Sequence, residues 1–123
     1  MDHIQNIIAL AKQGTDFRRE LITNRYSQVV IMSVEPGQDI GMEVHDLDQI
    51  LVFIDGEGEA VIEGEKAPIG EGSLFVVPAG AEHNFINTGS VPLKLFTVYA
   101  PAEHAKGTVH RTKAEADAAE HHH

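Results

Sequence analysis

The chain has no cysteine and no tryptophan, and only nine basic residues stand against nineteen acidic ones. Without cysteine there are no disulfides, no thiolate ligands and no thiol nucleophile, so any metal must be held by imidazole, carboxylate or amide groups. The shortage of basic residues leaves a formal charge of −10. A surface of that sign repels phosphate backbones and anionic membranes, which argues against nucleic-acid and membrane partners. The one basic pair, Arg18-Arg19, falls in a strand-like run and reads as a solvated face. No apolar run approaches the roughly 20 residues that a membrane-spanning helix needs. Met1-Asp2-His3 lacks the basic and apolar regions of a secretory leader, so a cytoplasmic location is expected.

What is present is an ordinary globular composition, 42% hydrophobic over 123 residues, enough for one domain with a core of its own. Ile4, Ile7, Ile8 and Ala11 fall at helical spacing and Gly14 follows, which predicts a short helix within an N-terminal segment, residues 1–16. From Phe17 the texture becomes short β-like runs at 17–23, 28–34, 41–45, 49–54, 59–62, 73–77, 83–87 and 93–100. Pro36-Gly37, Asp55-Gly56, Gly64, Gly70 to Gly72, Pro78 to Gly80 and Gly89 punctuate them. Eight short strands closely spaced by turns predict an all-β sandwich or barrel over 17–101. The extension 102–123 carries Thr112-Lys113-Ala114-Glu115, a capping box that predicts a surface helix over about 113–120. His121-His122-His123 is set aside from both fold and metal arguments.

Two segments carry the chemistry. In the first, Gly37 is followed after five residues by Glu43-Val44-His45, then after three by Gln49, then after six by Gly56. In the second, Gly72, Pro78, Gly80, His83 and Asn87 follow at fixed offsets. Two glycines and one proline so placed would match by chance at roughly one start in 4,000. Together the two segments resemble the paired signature of the cupin superfamily. The second matches it without departure. In the first, Glu43 stands where a histidine is usual, and Gln49 where a glutamate is usual. The resemblance implies a jelly-roll barrel (a double-stranded β-helix) and one divalent metal ion held by Glu43, His45, Gln49 and His83.

Physical reasoning about the residues points the same way. Side chains alternate faces along a strand, so Glu43 and His45 project together. Gln49 faces back at them after a short reversal, and His83 arrives from a distant strand behind the rigid Pro78-Ala79-Gly80 turn. Two imidazoles, a carboxylate and an amide oxygen suit Fe, Mn, Ni, Co or Zn, and the two departures offset each other in charge, leaving the ion near +1. Asp46 and Asp48 read as solvent-facing turn residues, and Asn87 as a structural hydrogen-bonding residue. Tyr99, His104 and His110 lie beyond the motifs and read first as packing or surface positions; Tyr99 and His104 remain the candidates for a catalytic role.

A closer likeness, through Asp16 to Arg19, Gly41 to Gln49, Val76 to Asn84 and Gly107 to Lys113, is to small bacterial cupins of unassigned activity that often carry a mannose-6-phosphate isomerase label. Gln49 also resembles the corresponding residue of cupins acting on uronate sugars. The superfamily spans isomerases, dioxygenases and non-catalytic sugar-binding barrels, so fold alone selects no reaction. The expectation is a metal-dependent isomerase or dioxygenase acting on a small molecule, with a non-catalytic sensing barrel as the alternative. A phosphorylated sugar suits the sequence poorly, since Lys66, Lys94 and Arg18-Arg19 are the only bases near the motifs. Alternation from Gln49 also places Ile50, Val52 and Ile54 outward, an apolar stripe that predicts a homodimer unless the N-terminal segment covers it.

Overall fold

The computed structural model describes residues 1–120; His121 to His123 lie outside the described residues. The elements run α1 (Ile7–Gln13), β1 (Arg18–Thr23), β2 (Gln28–Val34), β3 (Asp48–Asp55), β4 (Gly58–Ile62), β5 (Glu65–Ile69), β6 (Leu74–Val77), β7 (His83–Asn87), β8 (Leu93–Ala100), β9 (Val109–His110) and α2 (Lys113–Glu120). Strand pairing is antiparallel throughout. One sheet has the order β6-β3-β8-β2-β1-β9 and the other β5-β4-β7, so the chain is the expected all-β jelly roll. The hairpin strand β5 and the two-residue β9 carry too few alternating apolar residues to be anticipated from sequence.

Alternation decides what the barrel encloses. Met32 and Phe53 both face Leu95 across the large sheet, and Val34 faces Leu93. All five are buried in the main core, together with Val30, Leu51, Ile40, Ile69 and Phe85. Phe53, Phe75 and Phe85 close this floor with ring centroids 5.5 to 5.9 Å apart. Toward the other end the inward row changes character: Gln49 faces Tyr99, which faces Gln28. The barrel therefore has an apolar floor and a polar mouth.

The strand expected at 41–45 is a correction. Its chain pairs with β7 only as isolated bridges, Asp39 with Ile86 and Glu43 with His83. Gly41 causes the break: its φ of +108° lies outside the strand region, and its N–H leaves the ladder to donate to Asn84 Oδ1 at 2.9 Å.

Helix α1 starts at Asn6, whose side chain accepts from Ala9 N at 3.0 Å, and ends at Gly14, whose N–H donates to Leu10 O at 3.1 Å. Ile7 and Ala11 pack on Ile31, Val52, Ile54 and Phe96 from the outside of the large sheet, while Ile8, expected on the same face, is exposed. The helix thus covers Ile54 and half-buries Val52, and of the predicted outward stripe only Ile50 stays open, beside exposed Leu74 and Val76 of β6. Helix α2 has its capping box in place, Glu115 N donating to Thr112 Oγ1 at 3.1 Å and Thr112 N to Glu115 Oε2 at 3.2 Å. It is not purely a surface helix, because Ala116 is buried in the core. Among the described residues no helix is long and apolar enough to cross a membrane.

Asn87 ties the second motif to the core. Its Nδ2 donates to Val34 O and to Val91 O, both at 2.9 Å, and its Oδ1 accepts from Gly89 N at 2.9 Å. Replacement by alanine strands buried backbone groups, each costing about 1–3 kcal/mol. Asn87→Ala is expected to lose about 3 kcal/mol of stability in urea unfolding; a loss below about 1 kcal/mol would show these bonds to be dispensable.

Candidate metal centre

The two halves of the site are joined by backbone. Glu43 N donates to His83 O at 2.9 Å and His83 N to Glu43 O at 3.0 Å, while Gly80 N donates to His45 O at 2.8 Å. Gly80 reaches that position with a φ of +86°, in the turn where Ala81 N donates to Pro78 O at 3.1 Å. Asp46 and Asp48 are exposed as expected, and Asp48 Oδ1 additionally accepts from Ala79 N at 3.0 Å, bracing the same turn. Glu43 and His45 point inward together, and the intervening Val44 and preceding Met42 are exposed.

Each proposed ligand has a distinct environment. His83 is buried, with Nδ1 2.9 Å from Ala81 O. A carbonyl can only accept, so Nδ1 carries the proton and Nε2 presents its lone pair, the form in which histidine binds metals. The His45 and His83 ring centroids are 5.2 Å apart. His45 Nε2 lies 3.2 Å from Glu43 Oε2. Two donors about 2.1 Å from one ion, at right angles, would stand about 3 Å apart.

Gln49 is buried on the wall of the site. Its Nε2 donates to Thr97 Oγ1 at 3.1 Å, and Thr97 spends its own hydroxyl proton on Ile50 O at 2.9 Å. Thr97 can therefore only accept from Gln49, which fixes the amide orientation and leaves Oε1 buried with no hydrogen-bond partner. A buried carbonyl oxygen without a donor is what a cation would satisfy. Among the described residues no three His, Asp or Glu side chains already enclose a metal-sized point. Glu43 and His45 instead close on each other. The donor set fits a divalent ion once that contact is exchanged for bonds to the metal.

Tyr99 lies beneath His45, ring centroids 6.1 Å apart and edge-on, and His104 packs on Tyr99 at 5.2 Å. Tyr99 thus touches the site, and His104 stands behind it against Tyr99. Burial pushes the Tyr99 pKa well above its ordinary value, so the phenol stays protonated. Burial also lowers the His104 pKa to about 3, assisted by repulsion from Arg18. The hydrogen bond to Glu43 raises the His45 pKa against the opposing effect of burial, with the charges of Glu43 and Glu103 adding to the rise.

Two residues at the mouth were not legible in the sequence. Glu103 Oε2 lies 3.5 Å from His45 Nδ1. It is delivered by Gln28, whose Oε1 accepts from Glu103 N at 3.2 Å and His104 N at 3.0 Å while Nε2 donates to His104 O at 2.6 Å. Arg18 is the second, and corrects the reading of Arg18-Arg19 as a solvated pair: Arg19 is exposed, but Arg18 lies opposite Met32 and is only 2% exposed. Lys66 and Lys94, the other bases named near the motifs, do not serve the site. Lys66 is exposed on β5, and Lys94 reaches the Gly14 carbonyl.

The comparisons bear on the family and the fold. The cupin domain family matches residues 30–99, and the chain belongs to that family. Bacillus subtilis strain 168 has an uncharacterised relative, YrkC, 44% identical over 95% of this chain and 67% of its own length. The crystal structure of BH2720 from Bacillus halodurans superposes with a TM-score of 0.94 at 39% identity, covering 96% of this chain and 95% of that one. A mannose-1-phosphate guanylyltransferase of Escherichia coli K12 is 32% identical over 61% of this chain but only 16% of its own length.

His104 makes stability depend on pH with a definite sign. Its ordinary pKa is 6.5 and its folded value about 3, so between those limits the unfolded chain binds a proton that the folded one does not. This contribution therefore falls as pH falls, by up to about 1.4 kcal/mol per pH unit. His45 acts oppositely, its contribution being present below pH 6.5 and lost as pH rises through the raised folded value. Comparing urea midpoints of the wild type and His104→Phe isolates His104: the variant is expected to lose less stability between pH 6.5 and 4. Parallel pH profiles would contradict the buried, neutral imidazole.

Proposed function

We propose that the barrel binds one divalent transition metal ion (Fe, Mn, Ni, Co or Zn) on Glu43, His45, Gln49 and His83, and acts there on a small hydroxycarbonyl compound as an isomerase. The observation that carries the metal reading is Gln49 Oε1, buried without a donor on the same wall as a tautomer-fixed His83. The bound ion would supply Lewis acidity, polarising the substrate oxygens. Around it, Tyr99 is a protonated phenol able to donate, and Glu103 beside His45 is a carboxylate suited to holding a proton. That carboxylate favours proton transfer over dioxygenation, which needs only open positions on the metal.

The mannose-6-phosphate isomerase reading remains second. Its support is the partial likeness to the guanylyltransferase. Against it, a phosphate dianion would meet Glu43 and Glu103 with Arg18 as the one buried cation among the described residues of the mouth. Protein lacking His121 to His123 is expected to hold near one transition ion per chain by elemental analysis. His45→Ala and His83→Ala should largely lose it, and Glu43→Ala should weaken binding more than neutral Gln49→Ala. The loaded protein is expected to interconvert an unphosphorylated aldose–ketose or hydroxycarbonyl pair, without turnover of mannose 6-phosphate or dioxygen uptake. A wild type that stays metal-free after incubation with Fe(II), Mn, Ni, Co and Zn would end this reading.

We also propose a homodimer, through the outer face of β6 and β3 where Ile50, Leu74 and Val76 are exposed next to one another. Light scattering is expected to give twice the chain mass for the wild type and the monomer mass for Val76→Asp. A monomeric wild type at micromolar concentration would rule it out.

A further inference from the structure

Different groups steady the two imidazoles of the proposed centre. His83 is held locally, its Nδ1 2.9 Å from the carbonyl of Ala81, two residues before it. For His45 the group beside Nδ1 comes from the far end of the chain. Glu103 Oε2 lies 3.5 Å from that nitrogen, while Nε2 faces Glu43 Oε2 at 3.2 Å. Glu43 is a fellow ligand, so Nε2 is the nitrogen on the metal side and Nδ1 the one turned away. A neutral imidazole bonded to an ion through Nε2 carries its proton on Nδ1, and an acceptor for that proton fixes the ring and raises its basicity as a ligand. The Glu103 carboxylate stands where that acceptor belongs. Its approach is longer than the roughly 2.8 Å of a closed charge-assisted bond. Here the ring is drawn to Glu43, and exchanging that contact for an ion frees it to close on Glu103.

Glu103 owes its place to an anchored segment of backbone. Gln28, fully buried at the start of β2, uses every hydrogen-bonding position of its amide. Oε1 accepts from Glu103 N at 3.2 Å and from His104 N at 3.0 Å. Nε2 donates to His104 O at 2.6 Å and to Thr23 Oγ1 at 2.9 Å. Thr23 Oγ1 in turn donates to Glu20 Oε2 at 2.7 Å, and Glu20 Oε1 accepts from Gly107 N at 2.9 Å. The segment is therefore pinned at both ends by β1 and β2, with the Glu103 side chain turned to His45 between the pins. Gln28 and Glu103 both lie outside residues 30–99, the part matched by the cupin domain family.

We propose that Glu103 is a positioning residue for the metal ligand His45, accepting the Nδ1 proton so that Nε2 is presented to the ion, and that Gln28 holds Glu103 there. The inference rests on the metal reading and extends it: the centre is completed by the C-terminal extension of this chain. The proton that the Glu103 carboxylate is suited to hold is, in the first place, that of the His45 ring.

The test measures zinc affinity by competition with a chromophoric chelator, on protein lacking His121 to His123, and follows the ring N–H signals of the ¹⁵N-histidine-labelled, zinc-loaded protein by NMR. The wild type is expected to show a slowly exchanging His45 Nδ1–H. Glu103→Ala should lose that signal to solvent exchange and bind zinc about tenfold more weakly. Glu103→Gln, whose amide oxygen can accept at the same place, should recover part of both. The His83 Nδ1–H, held by Ala81, should persist in every variant. Gln28→Ala should weaken zinc binding alone and add nothing on top of Glu103→Ala. Should Gln28→Ala fail to fold, the two Glu103 variants decide the matter, since that side chain is 31% exposed. Unchanged zinc affinity in Glu103→Ala, or a His45 Nδ1–H that stays protected there, would overturn the proposal and leave the metal reading standing. A wild type that takes up no zinc or other transition ion would end both.

Discussion

Two reciprocal backbone hydrogen bonds, between Glu43 and His83, hold together everything this barrel can do chemically. They join residues from opposite motifs, in the stretch before β3 that pairs with β7 only as isolated bridges. A continuous ladder would have kept Glu43 and His45 in strict register with β7. The break at Gly41 lets the chain re-enter pairing two residues later, with its inward side chains gathered over His83. The bond from Gly80 N to the His45 carbonyl then locks the second turn against the first segment. Geometry at the site is thus set by main-chain groups, which tolerate changes of ligand identity such as Glu43 and Gln49.

The barrel separates two environments along one axis. At the floor, aromatic and branched side chains exclude water, and their burial supplies the main driving force for closing the sheets. At the mouth, each buried polar group is positioned by another: Thr97 orients Gln49, Ala81 orients His83, and Gln28 holds the backbone of Glu103 and His104. Such networks are costly when incomplete, because a polar atom in a low-dielectric interior without a partner forfeits its hydration. Among the described residues the buried atoms left incomplete are Gln49 Oε1, His104 Nε2, Arg18 Nε and Ser33 Oγ.

The C-terminal extension belongs to the site. Residues between β8 and α2 cross the mouth, with Glu20 N donating to Thr108 O at 2.9 Å and Phe17 N to Arg111 O at 3.1 Å. This return closes the cavity beside Arg18 and brings Glu103 against His45. Burial under that segment also explains why His104 stays neutral and Tyr99 protonated.

Local signals in the sequence determined most of the strands, the two helices, and the motif spacing that marks Glu43, His45, Gln49 and His83. Alternation, turn residues and capping boxes act over a few residues, and spacing survives any reading frame of the fold. Gly14 and the Thr112–Glu115 pair are helix limits of this kind. Tertiary structure alone decided that Arg18 is inside while Arg19 is outside, because that depends on which face of β1 the barrel encloses, and a pair of adjacent arginines offers no apolar alternation to tell. It alone decided that α1 covers Ile54, and that Glu103 meets His45 across 58 positions of sequence. Contacts made by long-range closure leave no mark on neighbouring residues, so only the folded chain can reveal them.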